Sequence, residues 1–375
     1  MTSVEWGLPI VANYYLAGLA AGSYITYYLW QGFGLRAFRP VAKLAWISAA
    51  VFAVASPLPV LAHLGQPGRS YYLFTSFHWT SSLAWAGPIL VAFILAVLLN
   101  GRFFFYPDVV LAYRAARGFR RKALRILMIS KPPAGAVPPT SAFGLKVTGA
   151  IAFVLALFFG YPGLELGILG SRPLWANPAN PLMFLVTAVV SGMAFTVLLW
   201  ILLGRRASVG PAEAEALRNL ILPASVGLFL VMNVMAYLTL SYASPEVREA
   251  MGILATGELG WIFVGLGLIV GALLPAFLLT WNALHAKPLR AVAAVSTLLL
   301  VVGAFAQKYG FVVAGQVANP PGGQTSSLWP TVTEIVELAA VVAFLYFLLQ
   351  VALWISPWRT VTPEPESPTE AEVPA

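Results

Sequence analysis

The chain has 375 residues, of which 59% are hydrophobic and 10% are charged. A soluble domain carries about 25% charged residues, so this composition excludes a water-soluble globule and indicates a polytopic membrane protein. Cysteine is absent and only three histidines occur, which excludes disulfides and thiolate-ligated iron–sulfur clusters. The formal net charge is +8. We expect no nucleic-acid partner, because the basic residues lie in short connections between apolar stretches.

Nine apolar stretches are long enough to cross a bilayer, for which a helix needs about 20 residues. The predicted fold class is therefore all-α, a polytopic transmembrane helical bundle of about nine spans within residues 1–358. In chain order the stretches cover roughly residues 8–30, 41–64, 80–100, 143–169, 181–203, 217–242, 252–281, 291–315 and 331–356.

Lysine and arginine fall mostly on one side of this arrangement. Eighteen of the 22 basic residues lie on one side, and the other side holds Arg69, Arg172, Arg248 and Lys308. Because cytoplasmic loops are enriched in Lys and Arg, the sequence predicts a multi-pass protein of the cell membrane with its N-terminus outside and its C-terminus inside.

The longest connection, residues 101–139, is a basic cytoplasmic loop in this topology. Its segment 113–125 is either an ordinary topology-setting loop or a basic amphipathic helix that lies on anionic lipid headgroups. Residues 359–375 are rich in Pro, Glu, Ser and Thr. Such a composition buries little apolar surface, so a disordered cytoplasmic tail is expected.

Polar side chains within the spans concentrate near the outer ends. They are costly in a bilayer and are therefore candidate functional groups. Taken one at a time, each of these residues has a purely structural explanation. Tyrosines at helix ends commonly lie at the membrane–water interface, and histidines at helix ends are commonly solvated or cap the helix. Glutamates are favoured in the first turn of a helix by the helix dipole. Their clustering at one face favours a binding site. The set is Asn13, His63, His78, Tyr161, Glu165, Glu258, Lys308, Tyr309, Gln316, Glu334 and Glu337.

A quinone head group, with two carbonyl oxygens and an apolar tail, fits such a cluster. Asn13 and Tyr161 are hydrogen-bond donors, and His63 exchanges a proton near neutral pH. Glu165 lies four residues after Tyr161 and thus on the same helix face. We expect Asn13, His63 and Tyr161 to bind the quinone, with His63 and Glu165 as catalytic proton carriers. The chain has no flavin motif or cluster ligands, so electrons require a partner.

Short motifs in a specific order resemble one family. They are Trp6-Gly7-Leu8-Pro9, Tyr15-Leu16-Ala17-Gly18-Leu19, His63-Leu64-Gly65-Gln66-Pro67, Ser76 to Trp85, Tyr161-Pro162-Gly163-Leu164, Leu174-Trp175, Lys308-Tyr309, Gly315-Gln316 and Pro330 to Glu334. Over the chain up to Trp358, this series is similar to the NrfD/PsrC-type membrane subunits of molybdopterin oxidoreductases. Polysulfide, thiosulfate, tetrathionate and sulfur reductases contain such subunits.

The resemblance implies a quinol-oxidising (or quinone-reducing) membrane anchor that uses menaquinone or a similar quinol. It places the quinone site in the first four-helix bundle near the outer face. It also implies two partners on that face, a four-cluster iron–sulfur subunit and a molybdopterin catalytic subunit, and no metal or haem in this chain. The sequence departs from the family at Asn13, where one branch has histidine, and at His63 and Gln66, where the loop motif has Asp and Arg.

The residues leave two other functions open. A transporter is expected to show inverted repeats and broken helices at mid-depth, and no internal repeat is evident. A haem b anchor needs two facing axial ligands, commonly histidines. His63 and His78 flank one outer loop, whereas His285 is predicted at the inner face.

The outer loops at residues 65–79 and 170–180 are predicted to dock the iron–sulfur subunit. They are rich in Gly and Pro and carry aromatic side chains expected to be exposed, a composition suited to an interface core. These side chains are Tyr71, Tyr72, Trp79 and Trp175.

Overall fold

The structure is a computed structural model. It describes residues 6–76, 78–129, 133, 135–137, 139–159, 162–177, 180–203, 215–242, 244–285, 289–317 and 328–359. All regular elements in these ranges are helical, which confirms the all-α class. Tyr161 and the predicted tail beyond Arg359 lie outside the described residues.

The helices are numbered in chain order. The first half contains α1 Leu8–Gln31, α2 Ala42–Ala55, α3 Leu58–His63, α4 Tyr72–Thr75, α5 Ser82–Phe104, α6 Tyr106–Ala115, α7 Gly118–Met128, α8 Ala142–Phe159 and α9 Pro162–Gly167. The second half contains α10 Asn180–Leu203, α11 Leu222–Ser241, α12 Pro245–Ala255, α13 Leu274–Leu284, α14 Arg290–Val317 and α15 Val332–Ile355. The π-helical segments Leu217–Ile221 and Trp261–Leu273 lead directly into α11 and α13.

Seven helical stretches in the described ranges are long and apolar enough to cross a membrane. They cover residues 36–63, 84–104, 142–167, 180–203, 261–284, 290–316 and 332–355. Of the other two predicted spans, α1 has 24 residues, a length of about 36 Å, but its tyrosines and Asn13 lower its hydropathy. The second, α11, is apolar over Leu222–Met235. The chain is a multi-pass membrane protein, and the count of nine and the orientation stay predictions.

Proline and glycine make the observed boundaries differ from the predicted ones. The span predicted at 41–64 is divided at Pro57, whose missing N–H leaves the Ala53 carbonyl to accept from the Ser56 hydroxyl at 3.0 Å. The span predicted at 143–169 is described as α8, which ends at Phe159, and as α9, which begins at Pro162. The span predicted at 252–281 begins as a membrane helix only at Trp261, because α12 forms a separate helix before it. The predicted loop 101–139 contains α6 and α7.

The first helix is the centre of the bundle. It packs against α2, α8 and α10 and also contacts α14 and α15. Glycines permit its close crossing with α10, because a Cβ atom at Gly22 would lie 1.8 Å from the Ala188 carbonyl oxygen and one at Gly192 would lie 2.5 Å from the Ser23 nitrogen. Small residues commonly allow such backbone approach in membranes.

Helix ends meet at two opposite ends of the bundle. We call one the polar end; it comprises the first residues of α1, α10 and α15 and the last residues of α3, α9 and α14. The other is the basic end, where most Lys and Arg residues lie. There Lys43 pairs with Asp108 at 2.7 Å, with both side chains largely buried. Among the described residues, the polar end holds Asn13, His63, Glu165, Glu334 and Glu337, which the sequence singled out.

Candidate functional site

Asn13 fixes the start of α1 to the break in the second span. Its side-chain amide donates a hydrogen bond to the Ser56 carbonyl oxygen at 2.7 Å. Ser56 directly precedes Pro57, and α3 then continues to His63. Asn13 is half-buried, so one amide proton is engaged at this break. The bond ties the position of α3, and with it His63, to the first helix.

His63 pairs with a glutamate that the sequence placed only in a general cluster. Its Nδ1 atom lies 3.1 Å from a carboxylate oxygen of Glu337, in the second turn of α15. The side chains are 38% and 21% exposed, so the pair is accessible from the polar end. Glu334, one turn earlier, has a structural role: its carboxylate and the Thr331 hydroxyl form the capping box that begins α15.

Glu165 lies in the interior, away from this pair. The Tyr14 hydroxyl donates to its Oε2 atom at 3.1 Å, and Oε1 is buried without a hydrogen-bond partner among the described residues. The Glu165 side chain is buried, as is Tyr14. Gly163 allows α9 to approach α10 closely, since a Cβ atom there would lie 2.5 Å from the Asn180 carbonyl oxygen.

Lys308 is buried beside the same tyrosine. Its ammonium group donates to the Tyr14 carbonyl oxygen at 3.3 Å and lies 4.8 Å from the centroid of the Phe184 ring. Gly18 provides the space, because a Cβ atom there would be 3.0 Å from the lysine nitrogen. Tyr14 therefore contacts both a buried carboxylate and a buried ammonium. Glu334 caps α15 and Glu337 contacts His63, so both carboxylates have partners other than Lys308.

Aromatic rings cover this interior group at the polar end. Trp6 stacks on Trp175 with centroids 5.4 Å apart, and the Trp175 indole N–H donates to the Phe311 carbonyl oxygen at 3.3 Å. The end of α14 also contacts Trp6, because the side-chain oxygen of Gln316 accepts a hydrogen bond from the Trp6 backbone N–H at 3.1 Å. The backbone carbonyl oxygen of Gln316 accepts a hydrogen bond from the Arg172 guanidinium at 2.7 Å.

Neighbouring positions on α1 thus serve two separate groups. Asn13 faces the α2–α3 break near His63, whereas Tyr14 faces Glu165 and Lys308. Asn13, His63 and Glu165 are among the residues predicted from the sequence, whereas Tyr14, a helix-end tyrosine of the kind expected in the interface belt, is not. Lys308 stands out in the sequence because it is a lysine inside an apolar helix. Nothing in the sequence indicates that Lys308 contacts α1.

The loops predicted to dock a partner differ from prediction at one aromatic residue. Tyr71, Tyr72 and Trp79 are exposed, as expected for a docking surface. Trp175 is only 3% exposed because it packs against Trp6 and α14, so its predicted role as an exposed docking residue was wrong.

Among the described residues, no group of three or more His, Cys, Asp or Glu side chains could hold a metal ion. His63 contacts Glu337 near the polar end, and His285 lies at the end of α13 with Nδ1 2.8 Å from the Trp281 carbonyl oxygen. These two histidines belong to different ends of the bundle, so they do not face each other as an axial pair would.

These features define a helical membrane protein with acid–base side chains gathered at one end. The sequence model of the family "Polysulphide reductase, NrfD" matches residues 1–320, and the chain belongs to this family. It is similar to a selenate reductase subunit of Mesobacillus selenatarsenatis, with 25% identity over 84% of this chain and 74% of that protein. It is also similar to protein NrfD of Escherichia coli K12, with 26% identity over 72% of this chain and 84% of that protein.

Members of the family are membrane subunits of respiratory oxidoreductase complexes, and they interact with quinones. Membership confirms the family that the sequence motifs indicated.

Proposed function

We propose that this chain is the quinol-oxidising (or quinone-reducing) subunit of a respiratory molybdopterin oxidoreductase complex, of the polysulfide, thiosulfate, tetrathionate or sulfur reductase type. Its substrate is menaquinol or a similar quinol. The observation that carries the proposal is the gathering of His63, Glu337, Tyr14 and Glu165 at one end of a membrane bundle. Such an end offers acid–base groups for the quinone head group.

His63 is the proposed proton acceptor. Its Nδ1 atom faces the Glu337 carboxylate at 3.1 Å, and a carboxylate partner favours the tautomer that carries its proton on Nδ1. The Nε2 lone pair of that tautomer is free to accept a proton from a quinol hydroxyl. Glu337 is therefore a positioning residue that holds the imidazole in the useful tautomer and orientation.

Asn13 and Tyr161 are the proposed hydrogen-bond donors to the quinone oxygens. The Asn13 amide donates one proton to Ser56 and has a second N–H to offer. Tyr161 comes immediately before α9, which begins at Pro162. The donor set suits a group that presents two acceptor oxygens.

A second proton route is proposed through Glu165. Oxidation of one quinol releases two electrons and two protons, so a second acceptor accounts for the second proton. Glu165 is buried, with one oxygen unpartnered among the described residues, and Tyr14 links it to the start of α1. The electrons leave through a four-cluster iron–sulfur subunit that docks at the polar end, and they reach a molybdopterin catalytic subunit that sets the terminal substrate.

The relatives support the assembly. One is named as a subunit of a selenate reductase, so a membrane protein of this family serves an oxidoreductase there. A transporter or a haem b anchor is less well supported, because the described polar groups gather at one end and the two histidines above lie at opposite ends.

Affinity purification tests the assembly. A tag on this chain should recover two further subunits from detergent-solubilised membranes, with iron and molybdenum in the pooled material. The isolated complex should exchange electrons with menaquinol or menaquinone. Recovery of the chain without any iron-containing partner would contradict the proposed complex.

Variants of His63 test the site within that complex. His63→Gln should lower kcat by about 10²-fold or more, because general acid–base groups contribute about 10²–10⁴ in rate. Tyr161→Phe should raise the quinol KM by about threefold to tenfold, the worth of one neutral hydrogen bond. Glu249→Gln, an exposed carboxylate of α12, is the matched control. Normal kinetics in both site variants would refute the proposed site.

A further inference from the structure

A cavity at the basic end of the bundle has no role in the proposed quinone chemistry. Its volume is about 600 Å³, and it lies among the ends of α6, α10 and α15 and the first turn of α7. The polar residues that line it are Arg120, Gln350, Ser356 and Arg359, with Trp354 and Trp358 beside them. Among the described residues that line it none is acidic, so its two arginines make the cavity positively charged.

Two of the residues that line this cavity each carry a polar atom that is buried without a hydrogen-bond partner in the part of the chain that the structure describes. These atoms are the Nε atom of Arg120, a donor, and the Oγ atom of Ser356, which both donates and accepts. Buried polar groups are nearly always satisfied, so each such atom requires an explanation. Both residues line the same cavity, where a polar ligand would supply the missing partners.

The second arginine, Arg359, lies just after the end of α15. The Trp358 indole N–H donates to the Leu353 carbonyl oxygen at 3.1 Å. The Arg359 guanidinium lies 4.8 Å from the centroid of the Trp358 ring, a cation–π contact. A guanidinium held in this way suits recognition of a phosphate oxygen, which arginine binds through two parallel N–H groups.

The surroundings are those of a bilayer surface. Leu124 and Met128 of α7 are buried against the bundle, whereas Phe119 and Ile126 are exposed. Phe119 stacks on Trp354 with centroids 6.2 Å apart, and Phe347, two turns earlier on α15, is exposed. Tryptophan belongs to the membrane interface, so the cavity opens where a lipid headgroup meets its acyl chains.

We propose that this cavity binds the headgroup of an anionic phospholipid such as phosphatidylglycerol. Arg120, Ser356 and Arg359 hold the phosphate, and the exposed apolar side chains of α7 and α15 contact the acyl chains. Basic pockets between membrane helices on the cytoplasmic side bind such headgroups in general. The proposal is independent of the quinone site, which lies at the opposite end.

The test uses the full-length chain purified in neutral detergent and titrated with phosphatidylglycerol or phosphatidylcholine, with bound lipid counted by native mass spectrometry. Arg120→Gln and Arg359→Gln should each weaken phosphatidylglycerol binding by about tenfold, the worth of a charge-assisted hydrogen bond. Ser356→Ala, which is less disruptive to folding, should weaken it by about threefold to tenfold. Arg117→Gln is the matched control, since Arg117 precedes α7 and does not line the cavity.

Three results would overturn the proposal. One is equal binding of phosphatidylglycerol by the cavity variants and the control. Another is displacement of the lipid by glycerol 3-phosphate at matching concentrations, which would assign the cavity to a soluble phosphate. The third is binding of phosphatidylglycerol only after removal of residues 360–375, which would show that the glutamates of that segment occupy the cavity in the complete chain. Arginine-dependent binding of phosphatidylglycerol by the complete chain, with weak binding of phosphatidylcholine, supports it.

Discussion

Glu165 and Tyr14 offer a sharp test of the proposed proton route, because the carboxylate has one hydrogen-bond partner among the described residues. Its Oε2 atom accepts from the Tyr14 hydroxyl at 3.1 Å, and its Oε1 atom has no partner there. Glu165→Gln keeps the size of the side chain and an acceptor oxygen for Tyr14. The amide cannot carry a proton, so the loss should fall on turnover.

The expected changes in kcat follow from the roles of Glu165 and of its hydrogen bond with Tyr14. Loss of a proton carrier should lower kcat by about 10²–10⁴-fold with little change in the quinol KM. Tyr14→Phe removes a hydrogen bond to a buried ionisable group, worth about 1.5–3 kcal/mol, so kcat should fall by about tenfold to a hundredfold. The double variant should be no slower than Glu165→Gln alone, because residues that act as a unit are not additive.

The assay is steady-state menaquinol oxidation by the purified complex, with subunit stoichiometry measured for each variant. Glu249→Gln, the same change at an exposed position of α12, should keep normal turnover. Normal kcat for Glu165→Gln in an intact complex would refute the route. Additive losses in the double variant would show that Tyr14 does not act through Glu165.

Three further predictions concern topology, docking and packing. A reporter that is active only in the cytoplasm should be active when fused after Arg359 and silent within residues 315–329; the reverse pattern would overturn the orientation. Tyr71→Asp, at an exposed loop position, should release the iron–sulfur subunit during co-purification while the chain itself remains folded; full retention would place docking elsewhere. Gly22→Val should reduce the folded yield, because a Cβ atom would lie 1.8 Å from the Ala188 carbonyl oxygen and overpacking costs about 1–3 kcal/mol or more. Gly227→Val, at a glycine with open space around it, is the control, and equal yields of the two would refute the packing argument.

The sequence by itself determined the class of protein and predicted the kind of site. The composition and the long apolar stretches required a helical membrane bundle. The lipid core offers no hydrogen-bond partners, so the backbone N–H and C=O groups must bond to one another within each helix. The distribution of polar residues along alternating spans predicted their gathering at one end. Asn13, His63 and Glu165 were therefore selected as candidate site residues from their predicted depth in the spans, with no knowledge of their partners.

The tertiary structure decided which of those residues meet. Helical periodicity shows which side chains share a face, but it does not show which helix that face contacts. The Tyr14–Glu165 bond joins residues 151 positions apart, and the His63–Glu337 contact joins residues 274 positions apart. Trp175 is buried because the packing of the helices brings it against Trp6 and α14. Glu334 differs, since its capping partner Thr331 lies only three residues away and such a box is readable from the sequence.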